Sequence, residues 1–443
     1  MLALMGFLII VIIMVLLLKS KTTPTVAFIV VPTVLALCAG FSIQKVGSFV
    51  KTGVADTAEM AALFIFSITF FGIMSDAGMF DRIINALVKR AGNSVVSVAV
   101  LTSIIAMLAH LDGSGAATFL ITIPAMLPIF KRLHMRNTSL LLICTAAMGV
   151  MNLLPWGGPT VRAATVIKMD STLLWHRLIP MQVVGLIAAL VVAVIVGLQE
   201  VKRGAGLRTT DNVQEDSAAV LQQQTNTAVQ GKEDYSRPQF FWFNLFLTLA
   251  VILVLMFIKL PTFYPFMIGT AIALIVNYHG TKLQEKIVKT HASAAVMMAS
   301  TLLGAGVMLG VLQKSGMMDA MANVLVKIIP ASFGPYIAIV FGVLSAPLAL
   351  AFSTDSYYYG VLPIVIGVAQ KFGVAPVSVA ITMVACRNCA CFISPMVPAT
   401  FLGCGLAEVD INEHIKRSFF WVWGISLVML VSGILLGVIP LGA

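Results

Sequence analysis

Hydrophobic positions along the chain gather in long unbroken runs separated by short polar stretches, with no period-two alternation of the kind that marks strands. Crossing a hydrocarbon core takes about 20 helical residues. Runs near 2–18, 24–41, 57–79, 93–109, 139–155, 178–198, 239–258, 262–278, 290–312, 333–350, 375–393 and 417–440 meet or approach that length. An all-α, multi-pass membrane protein is therefore expected. Two further apolar stretches, 112–130 and 353–370, open on polar clusters (DGSGAAT and STDSYYYG) and carry Pro124 and Pro363 in mid-run. They suit re-entrant hairpins, because irregular backbone survives at membrane depth only where protein or a wet cavity satisfies it.

Residues 199–238 break the pattern: they are polar, Gln-rich and of mixed charge, and read as a flexible connector. It divides the chain into a first membrane repeat, 1–198, and a second, 239–443. The two halves match. GMFDRIINALVKR (78–90) aligns with GMMDAMANVLVKI (316–328), and LDGSGAATFLITIP (111–124) with FSTDSYYYGVLPIVI (352–366). Pro155, Thr160 and Asp170 fall opposite Pro395, Thr400 and Asp410 at one constant offset. Duplicated membrane halves with broken helices are a secondary-transporter architecture, in which the halves meet around a midplane site. Inverted repeats need an odd number of crossings per half, whereas the runs above divide six and six, so their orientation stays open.

Composition agrees with this layout. The 443 residues are 59% hydrophobic and 10% charged, with mean hydropathy +1.01, far too apolar for a soluble surface. The excess of 28 Lys and Arg over 18 Asp and Glu fits basic loop ends at the membrane face. No basic stripe interleaved with aromatics points to nucleic acid. The six cysteines sit in apolar runs as packing residues, and Leu2–Leu18 lacks a basic n-region and a cleavage site, so it reads as a retained span.

Candidate chemistry lies at the breaks. In PWGGPTVRAA (155–164), two prolines and two glycines, Gly157 and Gly158, cannot continue a helix. The half-helix that follows would turn its positive dipole end toward an anion, with Thr160 and Arg162 placed to join; a Pro-Gly loop outside the membrane is the plain alternative. Asp112 and Asp355 occupy equivalent hairpin positions among small hydroxyl residues. Together they could hold a cation or a proton, or separately act as helix caps. Arg387, with Asn388 beside it, lies in the apolar run before the second break and would hold a carboxylate, of substrate or of protein. His110 is a candidate proton relay or a simple hydrogen-bonded neighbour; the Tyr357, Tyr358 and Tyr359 hydroxyls would serve the site or an interfacial belt. No phosphate-loop motif suggests ATP coupling. An intramembrane protease using Ser114 is disfavoured, since no base is placed for it.

At MNLLPWGGPTVRAA, LDGSGAATFLITIPAMLP, DSYYYGVLPI and PATFLGCGLAEVD, the sequence resembles the CitMHS family of citrate/metal:proton symporters in the ion transporter superfamily, along nearly its whole length. The resemblance implies inverted repeats with re-entrant hairpins and a midplane substrate site. It also implies uptake of a di- or tricarboxylate complexed with Mg2+ or Ca2+ as co-substrate, driven by protons. Carried over by position, Asp112, Ser114, Thr118, Asn152, Gly157, Gly158, Thr160 and Arg162 would line one half-site, and Asp355, Ser356, Asn388, Ser394 and Thr400 the other. Ser114 stands where an acidic residue is expected, and CRNCACFIS (386–394) departs from the family's Thr- and Gly-rich segment, so positive charge from Arg387 would replace some from the metal. The expected protein is a transporter of the cell inner membrane, with no covalent cofactor, no nucleic-acid partner and a homodimer among its options. A cation/proton antiporter, or a carboxylate transporter that needs no metal, is the alternative.

Overall fold

The computed structural model describes residues 1–19, 21–89, 92–206, 235–328 and 331–440, and these are helical with short connections. The first half runs α1 (Leu2–Leu18), α2 (Pro24–Cys38), α3 (Ile43–Asp76), α4 (Met79–Val88), α5 (Val95–Ala109), α6 (Gly115–Arg132), α7 (Asn137–Met151), α8 (Gly158–Ile167) and α9 (Ser171–Lys202). The second runs α10 (Phe241–Phe257), α11 (Phe263–Asn277), α12 (Thr281–Lys314), α13 (Met317–Val326), α14 (Ile337–Ala351), α15 (Leu362–Lys371), α16 (Pro376–Cys389), α17 (Pro398–Leu406) and α18 (Ile411–Leu435). The halves agree helix for helix. α3 and α12 each have 34 residues, and α4 and α13 each start from a left-handed glycine, Gly78 and Gly316, both at φ 77. A side chain disfavours that backbone region, which is why the GM-Asp motif is shared. Asp170 and Asp410 also serve one purpose, each accepting backbone N–H groups at the start of α9 and α18. Most of the expected connector, 207–234, lies outside the described residues, and its first residues, 199–202, complete α9.

Among the described residues, eight helical segments are long and apolar enough to cross a membrane, fewer than the dozen runs suggest. Four of the runs fold as helices too short to be counted: α1, α2, α7 and α11 have 17, 15, 15 and 15 residues. α3 and α12 are instead longer than their runs, starting at residues 43 and 281, and in α3 Lys45, Lys51 and Asp56 dilute the apolar signal without stopping the helix. α7 ends at Met151 because the chain breaks there, leaving it short of a full crossing. In the hairpins the prolines are accommodated differently. Pro124 and Pro128 lie inside α6, whereas Pro363 sits in the first turn of α15, after a π-helical segment at Ser356–Val361.

The orientation left open by counting is settled by α3 and α12. Phe49 and Gly53 of α3 meet Gly310 of α12, Thr57 meets Gly306, and Gly72 and Asp76 meet His291. Positions climb in one helix as they fall in the other, so these equivalent helices run antiparallel and the repeats are inverted. The glycines let the backbones touch: a Cβ on Gly53 would sit 2.8 Å from the Gly310 Cα. Around this pair the other helices expose large apolar side chains such as Val30, Ile187, Phe246 and Leu253, a lipid-facing surface. α7 and α16 are buried nearly throughout and form the centre.

The broken helices α8 and α17 end alike. Lys168 and Glu408 follow them at φ 54 and 56, equivalent positions of opposite charge. Lys168 pairs with Asp56 of α3 at 2.6 Å, while Glu408 pairs with Lys131 of α6 at 2.8 Å. Overfilling the glycine crossing should cost about 1–3 kcal/mol. Gly53→Val is therefore expected to lower the melting temperature of the detergent-solubilised protein, and Gly47→Ala, which meets nothing within 4 Å, to leave it unchanged.

Candidate functional site

Two interruptions face each other at the centre. α7 stops at Met151, residues 152–157 turn, and α8 starts at Gly158 with Pro159 in its first turn, where a missing N–H does no harm. α16 stops at Cys389, a short 3₁₀ turn covers Cys391–Ile393, and α17 starts at Pro398. The ends of α7 and α16 nearly touch: a Cβ on Gly149 would lie 2.9 Å from the Cys389 carbonyl oxygen. Asn152 Nδ2 donates to Asn388 Oδ1 at 3.1 Å, joining the two breaks directly.

Each hairpin tip is contacted by the opposite half, and the first by its own half as well. At the first tip, Asp112 Oδ1 accepts the Ser114 N–H at 2.8 Å, and the Ser114 hydroxyl accepts the Ala117 N–H to cap α6. The Thr118 hydroxyl donates to the Ser114 carbonyl and so must accept from His110 Nδ1, 2.6 Å away. That assigns the ring proton to Nδ1 and leaves Nε2 as an acceptor. Phe392 of the second break lies edge-on against His110, 5.3 Å between ring centres, and against Gly115. Trp156 of the first break donates its indole N–H to the Leu111 carbonyl at 2.8 Å. At the second tip, Asp355 is bound from the first half, Arg162 Nε to Asp355 Oδ1 at 2.7 Å. The Ser353 and Ser356 hydroxyls bond each other beside it.

Arg387 is fully buried and has no acidic partner among the described residues. Its guanidinium lies 5.6 Å from the ring centres of both Tyr357 and Tyr358, and donates to the Phe352 carbonyl and the Cys391 sulfur. Arg162 on Asp355 and Arg387 on the Phe352 carbonyl thus place two guanidiniums against one hairpin tip. Among the described residues, eleven buried side-chain polar atoms lack a hydrogen-bond partner, and seven of them belong to the breaks and hairpin tips: His110 Nε2, Asn152 Oδ1, Tyr358 and Tyr359 hydroxyls, Arg387 Nε, Asn388 Nδ2 and Thr400 Oγ1. Burying such groups unpaired is costly, which makes this region the candidate site for a polar ligand.

The sequence-predicted residues divide by the direction their groups serve. Asn152, Arg162, Asp355, Arg387, Asn388 and Thr400, at the two breaks and the second tip, keep unspent hydrogen-bonding capacity or charge. The Thr160 hydroxyl is committed to the Leu153 carbonyl and Ser394 to the Ala349 carbonyl, while Gly157 and Gly158 shape the turn. Asp112 and Asp355 have unlike partners, and among the described residues no group of three His, Cys, Asp or Glu side chains forms a metal cage. Gly149, Trp156 and Phe392 were not anticipated. A lone glycine and two aromatics in apolar runs carry no signal until the opposite half is placed beside them.

Gly157 is fixed by its surroundings, since a Cβ there would lie 2.9 Å from the Leu154 carbonyl oxygen; at Gly158 it would meet only the movable end of Arg162. Gly157→Ala is expected to destabilise by roughly 1–3 kcal/mol in thermal unfolding and Gly158→Ala by less.

Comparison with known proteins agrees with this architecture. The CitMHS family profile, described as "Citrate transporter", matches residues 1–386. A citrate transporter of Bacillus subtilis (strain 168) is 35% identical over 99% of this chain and all of its own length. A Mg(2+)/citrate complex secondary transporter from the same organism is 34% identical over the full length of both chains. The crystal structure of the Alcanivorax borkumensis YdaH transporter, described as having an unusual topology, shares the fold at TM-score 0.59 and 15% identity over 89% of each chain. With the family profile matched over residues 1–386 and relatives 35% and 34% identical along its length, the chain belongs to the CitMHS citrate transporter family.

Proposed function

We propose that this protein is a secondary active transporter importing citrate, or a closely related di- or tricarboxylate, as a complex with Mg2+ or Ca2+ and together with protons. The observation that carries the reading is Arg387, a buried guanidinium with no carboxylate among the described residues to balance it. Arg162 and Asp355 neutralise each other, so Arg387 leaves the second hairpin tip one positive charge in excess. A trianionic acid wrapped around a divalent cation carries one net negative charge and matches that excess. The free trianion does not. The protein supplies no cage for a bare cation among its described residues, which suits a metal that arrives with most of its oxygen ligands on the substrate.

In this mechanism the α8 N-terminus, Asn152, Asn388, Thr400 and Arg387 take the substrate's carboxylates. Asp112, half-buried and bonded only to its own turn, carries the proton. The re-entrant tips close over the complex from opposite sides, and the inverted halves exchange access by moving against the α3–α12 frame.

Uptake of labelled citrate into proteoliposomes, with and without Mg2+ or Ca2+ and across an imposed pH gradient, tests the reading. Metal-stimulated, gradient-driven accumulation is expected. Arg387→Ala should lower it at least tenfold, as loss of one charge-assisted contact worth about 1.5–3 kcal/mol requires; accumulation equal to wild type would refute the role of Arg387. Asp112→Asn is expected to keep citrate exchange while losing the response to the pH gradient.

A further inference from the structure

The Arg162–Asp355 pair is the one ion pair among the described residues of the site, and it joins a broken helix of one half to a hairpin of the other. It is also incompletely made. Only Nε and Oδ1 meet, at 2.7 Å, while Nη1 is turned to the Gly158 carbonyl at 3.1 Å. Arg162 Nη2 and Asp355 Oδ2 have no hydrogen bond from the described residues and are not among the sealed-off atoms, and the side chains are 8% and 16% exposed. Arginine–carboxylate pairs are frequently bidentate, and this one instead keeps a donor and an acceptor uncommitted.

We propose that the metal–carboxylate complex enters by exchanging partners with this pair: a substrate carboxylate takes Arg162, and the metal takes Asp355. The inference rests on the function proposed above and specifies how that site tells the complex from its components. Two ion pairs, one in the protein and one in the substrate, become two new ones across the interface, and no charge is stranded. Free citrate can occupy Arg162 only by leaving Asp355 unpaired beside another anion. A free divalent cation can occupy Asp355 only by leaving Arg162 unpaired. Each component alone therefore pays for a buried, unmatched charge that the complex avoids. Because the pair spans the halves, exchange also removes a tie between them, so the complex itself releases the movement that carries it. Asp355 acts here as the discriminating residue and Arg162 as the anion anchor.

The test is the ratio of citrate uptake with Mg2+ to uptake in EDTA, in proteoliposomes, for wild type and Asp355→Asn. Wild type should show a ratio of about ten or more, and the variant a ratio near one, its remaining uptake being of free citrate. A variant that transports with the wild-type ratio overturns the proposal. Should Asp355→Asn fail to insert, the wild-type protein still decides: its melting temperature should rise with Mg2+ and citrate together and with neither alone. Stabilisation by citrate in EDTA equal to that by the complex would overturn the exchange. Wild-type protein that neither transports nor binds citrate under any condition refutes instead the function on which this inference stands.

Discussion

A helix interrupted inside a hydrocarbon layer leaves backbone N–H and C=O groups with nothing to bond, and each such group costs several kcal/mol unless protein or ligand meets it. This chain interrupts two helices in that environment, after Met151 and after Cys389, and its architecture follows from meeting the cost. The breaks are brought nose to nose, close enough that Gly149 must be glycine, and their asparagines bond each other. The hairpin tips are laid across them, the first against Trp156 of its own half and Phe392 of the other, the second against Arg162 of the first half. What this arrangement cannot satisfy internally is the set of polar atoms left for a ligand.

Charge is handled with the same thrift. Insertion of one arginine at bilayer depth costs ~2.5–3.5 kcal/mol on translocon scales, and the site holds two. One is offset by Asp355. The other is stacked against tyrosine faces and given a carbonyl and a thiol, which soften the cost without cancelling the charge. Stability alone would select against such a residue. Around this centre, a frame of two 34-residue helices crosses on glycine, so the demanding chemistry sits between elements that do not have to distort to hold it.

The frame was largely legible in the sequence, because hydropathy reports burial in lipid directly and the repeated GM-Asp and Pro-Thr-Asp motifs report duplication. Inversion was not. Counting apolar runs took 93–109 as a full crossing and 112–130 as a separate re-entrant hairpin, and missed the polar first turns of α3 and α12; the antiparallel meeting of Gly53 with Gly306 and Gly310 decides orientation. Site residues were legible where a rule of chemistry is broken locally, as at Gly157 or Arg387. They were illegible where the function lies in a partner from the other half. The sequence suggested Asp112 and Asp355 as a matched pair, but partnership depends on what stands opposite, and only Asp355 has an arginine there.

The salt bridge at the end of α8 has a further meaning. Lys168 reaches Asp56 on the frame, but the position equivalent to Asp56 in the second half is Ala294, and Glu408 turns to Lys131 instead. If the halves were to trade conformations, the reversed molecule would have no bolt to shoot on that side. The pair is half-exposed and worth about 1 kcal/mol at most, so in such an exchange it would tilt the balance between the two poses slightly, even with identical solutions on both faces.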